Sequence, residues 1–79
     1  MRKVYVHVLA IDHRFGTNIS AHRTEDSARK ELLTYVRTWW PVEMLGHEVP
    51  KSVDDEIREY FEVARGGEES YLLRKAELQ

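Results

Sequence analysis

The amino-acid sequence predicts an α+β fold, in which two helices cover one face of a three-stranded antiparallel sheet in the order β-β-α-α-β. Two β-branched runs separated by a turn open the chain, two stretches with helical spacing follow capping residues, and a last alternating run closes it. With 79 residues and no cysteine, there is room for one hydrophobic core and no disulfide framework. We therefore expect residues 1–79 to form a single domain.

The first two strands are predicted to form a β-hairpin, over residues 4–11 and 18–22. Phe15 resists a positive φ, so the favoured loop has three residues, 14–16, with Gly16 in the left-handed region. This loop sets the pairs that face each other across the hairpin: His13 and Thr17, Ile11 and Ile19, Leu9 and Ala21.

Strand one is apolar on both of its sides. Leu9 and Ile11 lie on one predicted face of the hairpin. Val4, Val6 and Val8 lie on the other face, together with Ser20 and His22. We therefore expect a central strand, with one face under the helices and the other partly covered or used in an interface.

Thr24 is predicted to cap the first helix, because Glu25 and Asp26 put negative charge in the turn that follows it. Pro41 is expected to end the helix, since a proline disfavours helical geometry at the residue before it. Between these limits, apolar residues recur at helical spacing and form the expected buried stripe of Ala28, Leu32, Tyr35, Val36 and Trp39.

The second helix is predicted to begin after Ser52, with Asp55 completing an acidic variant of the capping box. Gly66 and Gly67 are expected to end it. Residues 70–78 form the predicted last strand. The expected buried stripe of this helix consists of Val53, Ile57, Tyr60, Phe61 and Ala64.

The sequence has no constellation of residues that is typical of a catalytic or cofactor-binding site. In the predicted register His7 and His13 face one side of the hairpin and His22 the other, so we expect no metal site. The serines lack the Gly-x-Ser-x-Gly turn of a hydrolase, and the paired glycines follow a helix C-terminus, which does not attract phosphate. We predict a non-enzymatic protein without metal or cofactor.

Trp39 and Trp40 are adjacent on the first helix, so their side chains diverge by about 100°. Trp39 continues the buried stripe and is the core candidate. Trp40, beside Pro41, is predicted to be a partly exposed anchor for a partner, because aromatic residues are enriched at binding hot spots. The alternative is that Trp40 is buried under the loop that follows.

Acidic residues concentrate in the second half of the chain. Residues 1–40 have a net charge of +3, whereas residues 41–79 have a net charge of −5. Like charges three and four apart on a helix repel each other, which favours a basic partner. The alternative is a solvated helix face that keeps a small domain soluble. The predicted partner-binding surface, called here the acidic surface, consists of Asp54, Asp55, Glu59, Glu62, Glu68 and Glu69.

Composition also limits partners and compartment. The sequence pI of about 6.1 is well short of the basic balance of nucleic-acid-binding proteins, so direct nucleic-acid binding is not expected. The first apolar run is interrupted by His7 and followed by Asp12, which predicts neither a signal peptide nor a membrane span. We expect a cytoplasmic protein, either a monomer or a homodimer.

The segment YVHVLAIDHRFGTNISAHRT at positions 5–24, the Trp39-Trp40 pair and the sequence Glu68-Glu69-Ser70-Tyr71 resemble short proteins encoded by phages and plasmids. In length, acidic second half and lack of enzyme motifs, the chain is also similar to the small anti-CRISPR inhibitors. The resemblance implies binding to a CRISPR surveillance complex of the host bacterium. It assigns no role to any residue, since that group shares no motif.

Two functions are therefore expected. The first is an anti-CRISPR-like inhibitor, a DNA mimic whose acidic surface binds a Cascade-type complex and blocks DNA binding. The second is a structural or regulatory protein-interaction module that forms a homodimer through its sheet. The apolar character of both sides of the first strand motivates the second.

Overall fold

The structure, a computed structural model that describes residues 3–78, has the predicted architecture. The three strands form an antiparallel sheet in the order β2-β1-β3, so β1 is the central strand. The α+β class and the β-β-α-α-β order are confirmed. In chain order, the elements are β1 (Val4–His13), β2 (Gly16–His22), α1 (Glu25–Glu43), α2 (Val53–Val63), a short 3₁₀ turn (Ala64–Gly67) and β3 (Ser70–Leu78).

The hairpin between β1 and β2 has a tighter turn than predicted. His13 pairs with Gly16, so only Arg14 and Phe15 lie between the paired residues. The left-handed conformation falls on Gly16, as expected, with a φ of 125°. Phe15 keeps a negative φ, which avoids the clash that a side chain meets in the left-handed region.

The tighter turn shifts the register by one residue. Ile11 pairs with Asn18, and Leu9 pairs with Ser20. Ile19 therefore lies on the opposite face of the sheet from Ile11, and the predicted pairing was wrong. Because strand side chains alternate, this shift exchanges the faces on which all β2 side chains lie.

Helix α1 begins where predicted and ends later. The hydroxyl oxygen of Thr24 accepts a hydrogen bond from the N–H of Ser27 at 3.1 Å, which confirms the cap. The helix continues through Pro41, and the N–H of Met44 donates to the carbonyl of Trp40 at 2.9 Å. The prediction that Pro41 ends the helix was wrong.

Burial of two large side chains accounts for the longer helix. A proline inside a helix costs about 3 kcal/mol, whereas burying one large apolar side chain contributes about 1.5–3 kcal/mol. Continuing the helix places both Trp40 and Met44 in the core. The residues that face the core therefore recur every four positions, at Ala28, Leu32, Val36, Trp40 and Met44.

Helix α2 brings the chain back to the sheet. The hydroxyl oxygen of Ser52 accepts a hydrogen bond from the N–H of Asp55 at 3.3 Å, which confirms the predicted cap. After the helix, Arg65 and Gly66 adopt left-handed φ angles of 51° and 68°. These two residues turn the chain towards β3.

The core lies between the helices and one face of the sheet, and no element within residues 3–78 covers the other face. The molecule measures 52 × 28 × 16 Å. Its radius of gyration of 13.9 Å exceeds the value of about 11.6 Å typical of a compact chain of this length. It is elongated because β2 ends opposite His7, beyond which β1 and β3 continue as a two-stranded ribbon. The core consists of Leu9, Ile11, Leu32, Val36, Trp40, Met44, Ile57, Tyr60 and Ala64.

Candidate functional site

The uncovered side of the sheet is apolar, and we call it the open face. The register places on it the even-numbered residues of β1 and β3 and the odd-numbered residues of β2. Four of its apolar residues, Val4, Ile19, Leu72 and Leu78, are more than half exposed. Monomeric proteins rarely expose apolar patches of more than a few hundred Å². The nine apolar residues of the open face are Val4, Val6, Val8, Ala10, Ile19, Ala21, Leu72, Ala76 and Leu78.

Two charged residues interrupt the open face. Asp12 lies near the hairpin turn, where its carboxylate accepts a hydrogen bond from the hydroxyl of Thr17 at 3.1 Å. Arg74 lies on β3 beside Val8, four positions along β1 from Asp12. Both side chains are exposed. The open face therefore has an acidic end and a basic position near its middle.

Trp40, predicted to be an exposed anchor, is buried. The residue is 7% exposed, and its indole N–H donates to the carbonyl of His47 at 3.2 Å. The prediction was wrong because the helix continues past Pro41, which keeps Trp40 on the core-facing side of α1. Trp39 is instead half-buried beside the core. The alternative prediction, burial under the following loop, agrees with the hydrogen bond to His47.

Two members of the acidic surface are engaged in ion pairs. Asp54 pairs with Arg29 of α1. Asp55 pairs with Arg58 of its own helix, where the guanidinium donates to the carboxylate at 2.6 Å. Exposed pairs of this kind are worth about 0–1 kcal/mol. Their main consequence here is that the local negative charge is partly neutralised.

Three other members of the acidic surface are at least partly exposed and have no ion pair with any residue that the structure describes. Glu62 and Glu68 are exposed, and Glu59 is half-buried. Glu59, Glu62 and Glu68 are therefore the members of the acidic surface that could offer an unneutralised charge to a partner.

Glu69 was predicted to belong to the acidic surface, and it lies inside the protein. It is 5% exposed. One of its carboxylate oxygens, Oε1, accepts hydrogen bonds from the phenol hydroxyls of Tyr35 at 2.6 Å and Tyr60 at 3.0 Å. The left-handed turn after α2 reverses the chain, so Glu69 points inward while Glu68 stays outside. The prediction of a surface position was wrong.

Burial and the hydrogen bonds to Glu69 together favour the protonated form of both phenols. Burial, followed in importance by the hydrogen bond to Glu69, raises the pKa of Tyr35 well above its usual value near 10. The same two causes, in the same order, raise the pKa of Tyr60. The two hydroxyls therefore remain donors to the carboxylate throughout the neutral range.

The burial of a second carboxylate, that of Glu56, was not predicted from the sequence. Glu56 is 2% exposed, and the Arg37 guanidinium donates to both of its oxygens, at 3.1 and 3.3 Å. The hydrogen bonds and the negative charge of Glu56 raise the pKa of Arg37. A signal was present, since Glu56 lies four residues before Tyr60 on the buried side of α2. A carboxylate at such a position requires a partner.

The three histidines of the hairpin share one face of the sheet. His7 pairs with His22, and His13 lies on the same side of β1, so the prediction that His22 faces away was wrong. His22 lies within hydrogen-bond distance of Ser20 at 2.9 Å and Ser27 at 3.0 Å. Within residues 3–78, no group of three or more histidine, aspartate or glutamate side chains could hold a metal ion.

Comparison of the chain with protein-family models, curated proteins and solved structures finds no match. In the described part of the chain, neither helix is long and apolar enough to cross a membrane. A functional proposal therefore rests on the surfaces of the molecule itself.

Proposed function

We propose that this protein is a non-enzymatic interaction module that forms a homodimer by stacking the open faces of two copies. The observation that carries the proposal is the apolar open face, which the two helices of the same chain leave without cover. Burying such a face against its equivalent removes apolar area from water on both copies.

The charges of the open face fit a second copy. Arg74 lies in the row of Val8, and Asp12 lies four residues further along β1, with Ala10 midway. A twofold axis in the interface plane, perpendicular to β1 at Ala10, places the row of Arg74 over the row of Asp12 from the other copy. Stacked sheets lie about 10 Å apart, a gap that an arginine and an aspartate side chain together span.

The size of the open face sets the expected strength of the dimer. Nine paired residues of β1 and β3 give the face a length of about 30 Å, and its width is about 14 Å beside β2 and about 10 Å in the two-stranded ribbon. Two such faces bury roughly 800 Å² in total, which is below the range of about 1,200–2,000 Å² for stable interfaces. We therefore expect a weak dimer, formed at micromolar or higher concentrations.

Sedimentation velocity over a wide concentration range tests the dimer. Ile19→Lys and Leu72→Lys each put a charge on the open face and should leave a monomer at every concentration. Leu45→Lys is the matched control, because Leu45 is 80% exposed in the loop after α1, away from the open face. This control should dimerise like the wild type.

A charge exchange tests the arrangement of the two copies. Arg74→Asp and Asp12→Arg should each weaken the dimer, and the double variant should recover it, because the two charges then pair in the opposite sense. A wild-type protein that stays monomeric at millimolar concentration contradicts the proposal. So does a dimer that both lysine substitutions on the open face leave intact.

The remaining free carboxylates support a second candidate, the anti-CRISPR-like inhibitor that binds a Cascade-type complex and blocks DNA binding. Glu59 and Glu62 on α2 have no ion pair with the described residues. Capture of such a complex should be lost in Glu59→Lys/Glu62→Lys and kept in the equally charged control Glu48→Lys/Glu77→Lys. Failure of the wild type to capture the complex, or equal losses in both variants, would remove this candidate.

A further inference from the structure

A groove lies between the edge strand β2 and helix α1, and a smaller cavity adjoins it. The groove has a volume of about 560 Å³, and its walls include Ser20 of β2 and Thr38 of α1. The smaller cavity has a volume of about 110 Å³. Asn18, Tyr35 and Trp39 line both, so the groove and the cavity adjoin each other at these residues.

His13 lies at the cavity, and one of its ring nitrogens is buried. Its Nδ1 accepts a hydrogen bond from the N–H of Phe15 at 3.2 Å, so the proton of the neutral ring is assigned to Nε2. Nε2 is buried and has no hydrogen-bond partner among residues 3–78. Buried donors are nearly always paired, so a ligand that brings an acceptor would complete this site.

Glu69, also at the cavity, is a buried carboxylate. Its two hydrogen bonds both reach Oε1, and it forms no ion pair with the part of the chain that the structure describes. Arg14 is the cation among the lining residues, but it lies 3.8 Å from Glu43 and over the ring of Phe15. Buried carboxylates are usually paired with a cation, so the cavity favours a positively charged ligand group.

The edge of β2 offers main-chain partners beside the cavity. In the described part of the chain β2 pairs with β1 alone, so the N–H and C=O groups along its other side have no partner strand there. An extended peptide can add to such an edge as a further strand, with its alternate side chains entering neighbouring pockets.

We propose that the groove binds an extended basic peptide, which pairs with the edge of β2 and places one lysine or arginine side chain in the small cavity. The side-chain cation pairs with Glu43 and Glu69, and a peptide carbonyl accepts from Nε2 of His13. Tyr35 and Trp39 pack against the aliphatic part of the inserted side chain. The inserted side chain and its partners lie on the helix side of the sheet, opposite the open face that forms the proposed dimer.

Nuclear magnetic resonance titration of the ¹⁵N-labelled protein tests the site. The probes are capped pentapeptides of sequence Thr-Val-X-Val-Thr, where X is lysine, norleucine or glutamate. The lysine peptide should shift the amide signals of β2 and the indole signal of Trp39. The norleucine peptide, of the same length and without the charge, should bind about tenfold more weakly. The glutamate peptide should not bind.

Two variants of the cavity identify the carboxylates. Glu43→Gln and Glu69→Gln should each weaken the lysine peptide about tenfold, because each removes a charge that faces the cation. Glu62→Gln makes the same change on the exposed side of α2 and should leave the affinity unaltered. Glu43→Gln keeps the test decisive if Glu69→Gln fails to fold.

Three outcomes would overturn the peptide site. They are an absence of shifts in β2 at millimolar lysine peptide, equal affinities for the lysine and norleucine peptides, and equal weakening by Glu62→Gln and Glu43→Gln. None of them bears on the dimer, which is measured by sedimentation without peptide.

Discussion

The two faces of the sheet are built from similar side chains and have different surroundings. Leu9 and Ile11 on the covered face are almost fully buried, whereas Val4 and Leu72 on the open face are more than half exposed. Each helix has one apolar side, and both helices lie on the same side of the sheet. Apolar side chains on a strand are therefore buried only where another layer packs on them. The two helices form one layer, so the second face of the sheet is left for another molecule to cover.

The largest expected effect separates the two faces directly. Leu9→Ala should destabilise the monomer by about 2–5 kcal/mol, because it removes a buried side chain and leaves a cavity. Leu72→Ala on the open face should change stability by less than about 0.5 kcal/mol. Urea unfolding at low protein concentration, where the dimer is absent, measures both. Similar losses in the two variants would mean that the open face is covered within the monomer.

The next effect separates two neighbouring carboxylates. Glu69→Ala should cost about 1–3 kcal/mol, since it leaves two buried phenol hydroxyls without their acceptor. Glu68→Ala, one residue earlier and exposed, should change stability by less than about 0.5 kcal/mol. Thermal unfolding of the two variants checks the difference. If both behave like the wild type, Glu69 does not hold the tyrosines.

The raised pKa values of these tyrosines predict a loss of stability in alkaline solution. Unfolded tyrosine ionises near pH 10, whereas Tyr35 and Tyr60 stay protonated in the folded protein. Their contribution to stability is therefore complete below about pH 10 and lost as the pH rises beyond it. The difference in unfolding free energy between wild type and Tyr60→Phe should narrow from about pH 10 to 11. A difference that stays constant over that range would contradict the assignment.

The smallest expected change in stability concerns the cap of α1, one of the two helices that cover one face of the sheet and leave the other open. Thr24→Ala removes the cap of α1 and should cost about 1 kcal/mol. Thr34→Ala, on the exposed side of the same helix, should leave stability within about 0.5 kcal/mol of the wild type. Denaturant midpoints distinguish the two. Equal midpoints would mean that the cap adds nothing to the packing of α1 on the sheet.

The features that the sequence predicted correctly depend on local interactions. The order of elements follows from periodicity, and the caps at Thr24 and Ser52 follow from side chains that reach the next turn. The prediction of the hairpin register was wrong because it assumed that a two-residue turn needs a positive φ at Phe15. The turn has two residues, and Phe15 keeps a negative φ in it. The predicted end of α1 was wrong because the burial of Trp40 and Met44 offsets the free-energy cost of a proline inside the helix.

The candidate site was harder to predict, because the exposure of each side chain depends on distant packing. Trp40 and Glu69 were both predicted to lie on the surface because of their neighbours in sequence. Both are buried in the folded protein, where Glu69 bonds to Tyr35, 34 residues away. The two-sided apolar pattern of β1 was the reliable signal, since a central strand exposes its second face unless another layer covers it. The groove beside β2 left no signal in the sequence.

The central position of β1 has a kinetic consequence. Its partner β2 follows directly, but its partner β3 is separated from it by roughly sixty residues of chain. The hairpin of β1 and β2 can close within microseconds. The pairing of β1 with β3 forms later, because it requires the helices to bring β3 next to β1. Until β3 pairs, β1 exposes one unpaired edge and two apolar faces to neighbouring chains. The refolding yield should therefore fall as the protein concentration rises.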